Sequence, residues 1–289
     1  AGTYFPPEDR WGRPGFPALL KKIAEYSEKD RAGLLDQAAT LTARLQEGSH
    51  APSPTTVGEA ELDLAVTQFA EDFDAGHGGF GGAPKFPPAT GLSLLLHCYH
   101  RTNDVHTLTM VRTTLDAMAA GGIYDHVGGG FARYSTDERW LVPHFEKMLY
   151  DNAQLLRVYA HLHRVTGSAL ALRVADETAA FLLRDLGTAE GGFASALDAD
   201  TDGVEGMTYA WTPAQLREVL GPEDGAWAAE LLTVTDAGTF EHGASTLQLR
   251  ADPADPPRWE RVRAALLAAR AVRPQPARDD KVVTAWNGL

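Results

Sequence analysis

Gly121-Gly122-Ile123-Tyr124-Asp125-His126 ends one stretch of helical spacing and opens a loop, and the same event recurs at Gly78-Gly79-Phe80 and Gly191-Gly192-Phe193. Glycine closes many helices because it adopts left-handed backbone angles freely. These three loops run longer than a cap needs and carry polar and aromatic residues. Recurring helical hairpins with elaborate loops at one end predict a closed α-toroid, in which inner helix ends ring a pocket. A helical bundle that merely uses glycine caps is the competing pattern.

Outward from these loops, apolar periodicity predicts helices over Pro17–Asp30, Arg31–Gln46, Glu59–Asp72, Thr90–Arg101 and Val105–Ala120. A hairpin is expected over Phe131–Leu141, and a long helix from Pro143 to Val165, since proline suits a first helical turn. Further helices are expected over Ala169–Leu186, from Thr212-Pro213 to Gly221, and over Arg258–Val272, with strands at Met207–Trp211 and Thr246–Arg250. The breaker-rich stretch 48–57 reads as a linker, dividing residues 1–47 from 58–289.

With 289 residues, the chain can bury a substantial core. A net charge of -13 with dispersed basic residues argues against nucleic acid or an anionic membrane, and a neutral or weakly charged small molecule fits better. No apolar run is long enough to span a membrane, and no signal peptide is visible. Cys98 is the single cysteine, so no C-x-x-C motif exists and a reducing, cytoplasmic setting is expected. The start at Ala1 without methionine suggests a processed or truncated product.

The string Gly121–Ala153, which includes Tyr124-Asp125-His126-Val127-Gly128-Gly129-Gly130-Phe131 and Pro143-His144-Phe145-Glu146-Lys147-Met148, is highly specific. With Gly2–Pro7, Gly79–Pro87, Ala196–Asp200, Asp279–Lys281 and Ala285–Leu289, it resembles the spermatogenesis-associated protein 20 family. That resemblance covers essentially the whole chain. It implies a thioredoxin-like domain followed by a six-hairpin (α/α)6 barrel related to sugar epimerases and six-hairpin glycosidases. Residues 1–47 would then hold the C-terminal end of the thioredoxin-like domain, and residues 58–289 a partial (α/α)6 toroid with short β-hairpins in its loops. About four of six hairpins are expected, at roughly 50–60 residues each. An open toroid of this kind is expected to expose an apolar flank and to self-associate or aggregate.

Candidate acid–base residues are Asp125, His126, Asp137, His144, Glu146, Asp151, Asp198 and Asp200. Candidate substrate-binding residues are Tyr124, Arg133, Trp140, Lys147, Asn152, Asp280, Trp286 and Asn287. Sugar chemistry needs acids and bases with separated pKa values, plus aromatic surfaces and polar groups for hydroxyls. A helix from Pro143 would set His144, Lys147 and Asp151 on one face; equally, Lys147 and Asp151 could form an i,i+4 ion pair while His144 caps the helix. Asp198-Ala199-Asp200-Thr201-Asp202-Gly203 begins like a calcium loop, but Tyr209 stands where the bidentate Glu is due, so no metal is assigned. His97, Cys98 and His100 read as core and surface residues, and Gly128-Gly129-Gly130 lacks the βαβ setting of a nucleotide loop. No cofactor is expected. The leading expectation is a sugar-binding or sugar-processing barrel of epimerase, isomerase or hydrolase type. Its rival is a thiol-redox or chaperone-like protein whose barrel holds a client.

Overall fold

The computed structural model describes residues 6–9, 14–48 and 57–288. Most of the Gly2–Pro7 string, most of the expected linker and Leu289 lie outside the described residues. The chain divides into two compact units, Ala1–Gly58 and Glu59–Leu289. In the first, α1 (Phe16–Lys29) and α2 (Arg31–Gly48) meet at Asp30. Its N–H extends α1 to the Tyr26 carbonyl, while its carboxylate accepts from Gly33 N–H at the start of α2.

The second unit begins with α3 (Glu59–Asp72), α4 (Ala89–Thr102) and α5 (Val105–Ala120). Asn103 ends α4 in the left-handed region, and the Asp104 carboxylate caps α5 through the N–H groups of His106 and Thr107. A connection this short makes α4 and α5 antiparallel neighbours. The same device joins α6 (Leu149–Thr166) to α7 (Ala169–Phe181): Gly167 is left-handed and Ser168 caps through Ala171 N–H. Later, α8 (Pro213–Leu231) opens on a Thr212–Gln215 capping box and kinks at Gly221, and α9 (Pro256–Ala271) is capped by Asp255. The short α10 (Thr284–Asn287) follows.

Two cores result. Leu92, Leu95, Leu96, Met110, Leu115 and Met118 pack with Tyr124, Phe131, Trp140 and Tyr159. Trp211, Leu216, Ala228, Leu232, Trp259 and Leu266 form the second, between α8 and α9. Among the described residues no helix is long and apolar enough to cross a membrane.

Strands are confined to the loops, as the mainly helical class expected from the sequence requires. β1 (Tyr134–Ser135) pairs with β2 (Pro143–His144). β3 (Lys147–Met148) and β4 (Ala196–Leu197) pair antiparallel, and β4 pairs in turn with β7 (Arg278–Asp279). Asp200–Thr201 (β5) and Val204–Glu205 (β6) form a hairpin whose turn, Asp202-Gly203, has positive φ at both residues. That is the geometry an Asp-Gly pair favours, so the acidic loop is a hairpin turn.

Three expectations need correction. The helix expected from Pro143 starts at Leu149, because the preceding residues are drawn into two separate ladders, with β1 and with β4. His144, Lys147 and Asp151 therefore share no helical face. The expected strand Met207–Trp211 is mainly a turn in which Tyr209 and Ala210 N–H both bond the Gly206 carbonyl; only Trp211 bridges, to Ser245. Residues Thr246–Arg250 are extended without a ladder: Gln248 N–H bonds Leu232 and Leu249 N–H bonds Ala120.

Gly128-Gly129-Gly130 is explained by close approach. Gly129 and Gly130 have φ of 79° and 80°, and a Cβ there would strike the Glu177 carbonyl and the Phe181 ring of α7. Gly167 has a similar φ of 72° but open space around it. Gly167→Ala is expected to cost the backbone strain alone, about 1–2 kcal/mol, and Gly130→Ala clearly more, read from urea denaturation midpoints.

Candidate functional site

The loop after α5 turns sharply at Asp125, whose carboxylate is buried. It accepts from Arg270 Nη1 and Lys147 Nζ, both at 2.7 Å, and from Val127 and Gly128 N–H. Burial alone would push this carboxyl up; Arg270 and Lys147 instead hold it well below the usual range. Lys147 also donates to the Gly129 carbonyl and lies over the Phe181 and Tyr209 rings. Burial pulls its ammonium below the usual lysine range against the attraction of Asp125.

Lys147 and Tyr209 stand in a wall between two cavities. The narrower, about 30 Å³, is lined by Tyr124, Asp125, His126, Phe145 and Thr246 and has room for little more than water. The wider, about 450 Å³, is lined by Arg184, Asp185, Leu197, Arg270, Gln275 and Arg278 together with those two residues. Its volume suits a small molecule. Its floor follows from register: Lys147 of β3 pairs with Leu197 of β4, which pairs with Arg278 of β7. Cross-strand partners share a face, so three distant segments present neighbouring side chains to one cavity.

The other candidates fall into separate groups. Tyr124 donates its hydroxyl to Glu177, which Arg263 also holds. His126 is buried, and its Nε2–H donates to the Gly121 carbonyl at 2.9 Å; burial lowers its pKa to about 4. Arg133 bonds Asp151 at 2.7 Å, lies near Glu146 and stacks over the Tyr150 and Phe86 rings. Burial pushes Asp151 up to about 6 against the pull of Arg133. His144 pairs with Glu205 at 2.7 Å and stacks on Tyr134. None of Arg133, His144, Glu146 or Asp151 lines either cavity.

Several candidates do structural work. Trp140 is fully buried, donates its indole N–H to His77 and Gly78 carbonyls, and presents no face to a ligand. Asp137 accepts from the N–H groups of Arg139, Leu141 and Val142. Asn152 clamps both backbone groups of Phe131, and Asn287 does the same for Phe193. Trp286 packs edge-on against Tyr150. Asp198 and Asp200 are exposed, as is Asp280 beside Arg278. The expected Lys147–Asp151 ion pair is replaced by Lys147–Asp125 and Arg133–Asp151. Cys98 is buried in α4, and burial pushes its thiol up. Arg184, Tyr209, Arg270, Gln275 and Arg278 join the site without any signal in the sequence pattern; no local spacing links residues so far apart in the chain.

Spermatogenesis-associated protein 20 of Rattus norvegicus is 36% identical over 337 aligned positions, covering all of this chain and 42% of the relative. The Homo sapiens protein of that name matches at the same identity and coverage. The chain belongs to the spermatogenesis-associated protein 20 family. It spans less than half the length of these relatives. No protein-family model matches the chain. Among solved structures, cellobiose 2-epimerase from Bacillus thermoamylovorans aligns with 48% of this chain and 40% of its own at 16% identity, with a TM-score of 0.43.

In this family member, Asp125→Asn should cost about 3–5 kcal/mol, because it strands two buried cations. Asp198→Asn, at an exposed carboxylate, should stay within about 0.5 kcal/mol; urea denaturation of both variants checks the contrast.

His126 adds a pH dependence. Its folded pKa of about 4 lies below the ordinary 6.5, so the unfolded chain binds the proton first. The stability this neutral histidine leaves intact above pH 6.5 is lost as pH falls toward 4, by up to about 1.4 kcal/mol per unit. Asp151 works oppositely: its raised pKa favours the folded state below 3.8 and loses that effect as pH rises through about 6. The comparison is therefore made between the parent and His126→Gln, which should lose the histidine's share of the slope.

Proposed function

We propose that this chain carries the small-molecule pocket of a carbohydrate-processing barrel, with proton transfer at Lys147. The observation that carries the reading is Lys147 itself. Its ammonium is buried, anchored by Asp125, and placed in the wall of a 450 Å³ cavity that also offers Tyr209, Asp185 and Gln275. Sugars need this mixture of hydroxyl-binding groups and apolar faces, here Leu197, Leu267 and Pro276.

Epimerisation and isomerisation require a group that gives and takes a proton near neutrality. A lysine whose ammonium is pulled below its usual range by burial gives up its proton more readily than a free one. In this reading Lys147 is the catalytic residue, while Asp125 positions it. The successive helix pairs α4–α5, α6–α7 and α8–α9, with loops reaching one cavity, agree with a partial (α/α)6 toroid. Residues 1–47 as the end of a thioredoxin-like domain belong to the same proposal.

Nuclear magnetic resonance of mono- and disaccharides in D₂O, with the intact protein added, tests the proposal. A substrate should bind and take up deuterium at the carbon where a proton is exchanged. Lys147→Met should slow that exchange by about 100-fold or more while Asp125 keeps its Arg270 partner. A folded protein that neither binds nor labels any sugar would sink this reading.

A further inference from the structure

The wide cavity inverts the charge of the chain around it. Acids outnumber bases 39 to 26 over the whole sequence, yet Lys147, Arg184, Arg270 and Arg278 line this cavity against the single carboxylate of Asp185. Asp185 is already held by Arg184, at 2.9 Å from Nε and 2.5 Å from Nη2. Arg278 is paired with the exposed Asp280 and reaches the carbonyls of Asp185 and Gly187. Lys147 and Arg270 share one carboxylate, Asp125, between them.

Behind the cavity, Arg273 lies over Trp211 and donates to the carbonyls of Thr208 and Ala210, with no carboxylate in those bonds. Burial first, and the neighbouring Arg270 second, pull Arg273 down to about 10. Lining the cavity, Lys147, Arg184, Arg270 and Arg278 thus have Asp125, Asp185 and Asp280 as their paired carboxylates. Partly buried cations in excess of their counterions are costly unless an anion joins them. Arg270 is nine-tenths buried at the cavity wall, and among the described residues its fork donates one hydrogen bond, from Nη1 to Asp125. A guanidinium with donors to spare suits the paired oxygens of an oxyanion.

We propose that the wide cavity recognises an oxyanion carried on its ligand, a phosphate or carboxylate, bound by Arg270 with Arg184 and Arg278 at the rim. This rests on the sugar-pocket reading and sharpens its substrate class to acidic sugars, either sugar phosphates or uronic acids.

Calorimetry on the intact protein, with a hexose, a hexose 6-phosphate, a hexuronate and inorganic phosphate as probes, separates the possibilities. An acidic sugar should bind at least tenfold more tightly than the neutral hexose and weaken steeply with added salt. Which acidic sugar wins distinguishes phosphate from carboxylate. Arg184→Gln and Arg278→Gln, both at partly exposed side chains, should each cost at least tenfold for the acidic sugar and several-fold less for the neutral hexose, in variants that melting shows to be folded; an equal loss for both sugars overturns the anion site. Arg278→Lys should restore part of the loss. Equal binding of neutral and acidic sugars overturns the anion site but keeps the sugar pocket. Salt-sensitive binding of inorganic phosphate without any sugar supports the anion site and sinks the sugar reading. Binding of none of the probes by folded protein overturns both.

Discussion

The Asp125 carboxylate is the contact on which the second unit turns. It joins three parts of the chain that are distant in sequence: the loop after α5, strand β3 through Lys147, and the end of α9 through Arg270, 145 residues away. A buried carboxylate without partners would be intolerable, and so would either cation. The three charges are stable only together, with two backbone N–H groups filling the remaining acceptor sites. The chain also changes core here: Tyr124 packs with the first hydrophobic cluster and Val127 with the second. One ionic knot therefore sits where the clusters around Tyr124 and Val127 meet, and at the wall between the cavities.

Strand pairing completes what the knot begins. With Lys147 pinned to Asp125, β3 can pair with β4 in one register only if Lys147 faces Leu197, and β4 then brings Arg278 alongside. A slip of one residue would turn every side chain of these two-residue strands to the opposite face. Backbone bonds beyond the ladder hold the register, from Leu149 to Ser195, Ser195 to Asp279, and Asp198 to Ala277. Such short strands gain little by themselves; their role is to place side chains.

The sequence is most legible where local chemistry decides the outcome. Helix ends at Asn103-Asp104, Gly167-Ser168 and Thr212-Pro213 follow from caps whose partners lie within a few residues. It is least legible at Pro143–Met148, where helical signals are present but ladders to Tyr134–Ser135 and Ala196–Leu197 prevail. Asp125 and Lys147 stand out in the sequence as chemistry-bearing residues, yet their partner Arg270 sits in an ordinary arginine-rich helix. Trp140 misleads for a physical reason: an aromatic beside polar loop residues reads as a ligand platform, but its indole N–H satisfies two carbonyls inside the core.

Net charge describes a different part of the molecule from the cavity. A total of -13 is a statement about the whole surface, and at physiological ionic strength exposed charges fade beyond about 8 Å. A ligand inside a cavity responds to the few charges that line it, in a medium that screens them far less than water does. There the balance runs the other way, because Arg184, Arg270 and Arg278 arrive from the helical turn Leu182–Leu186 that follows α7, from α9 and from β7, by folding rather than by proximity in sequence. The acidic exterior and the basic cavity are compatible: the carboxylates outside are screened by salt and water, and the cations inside are held in place by Asp125 and Asp185. Those two carboxylates orient the cations, four of which line the cavity against Asp185 alone, and the anion site proposed for the cavity follows from that imbalance.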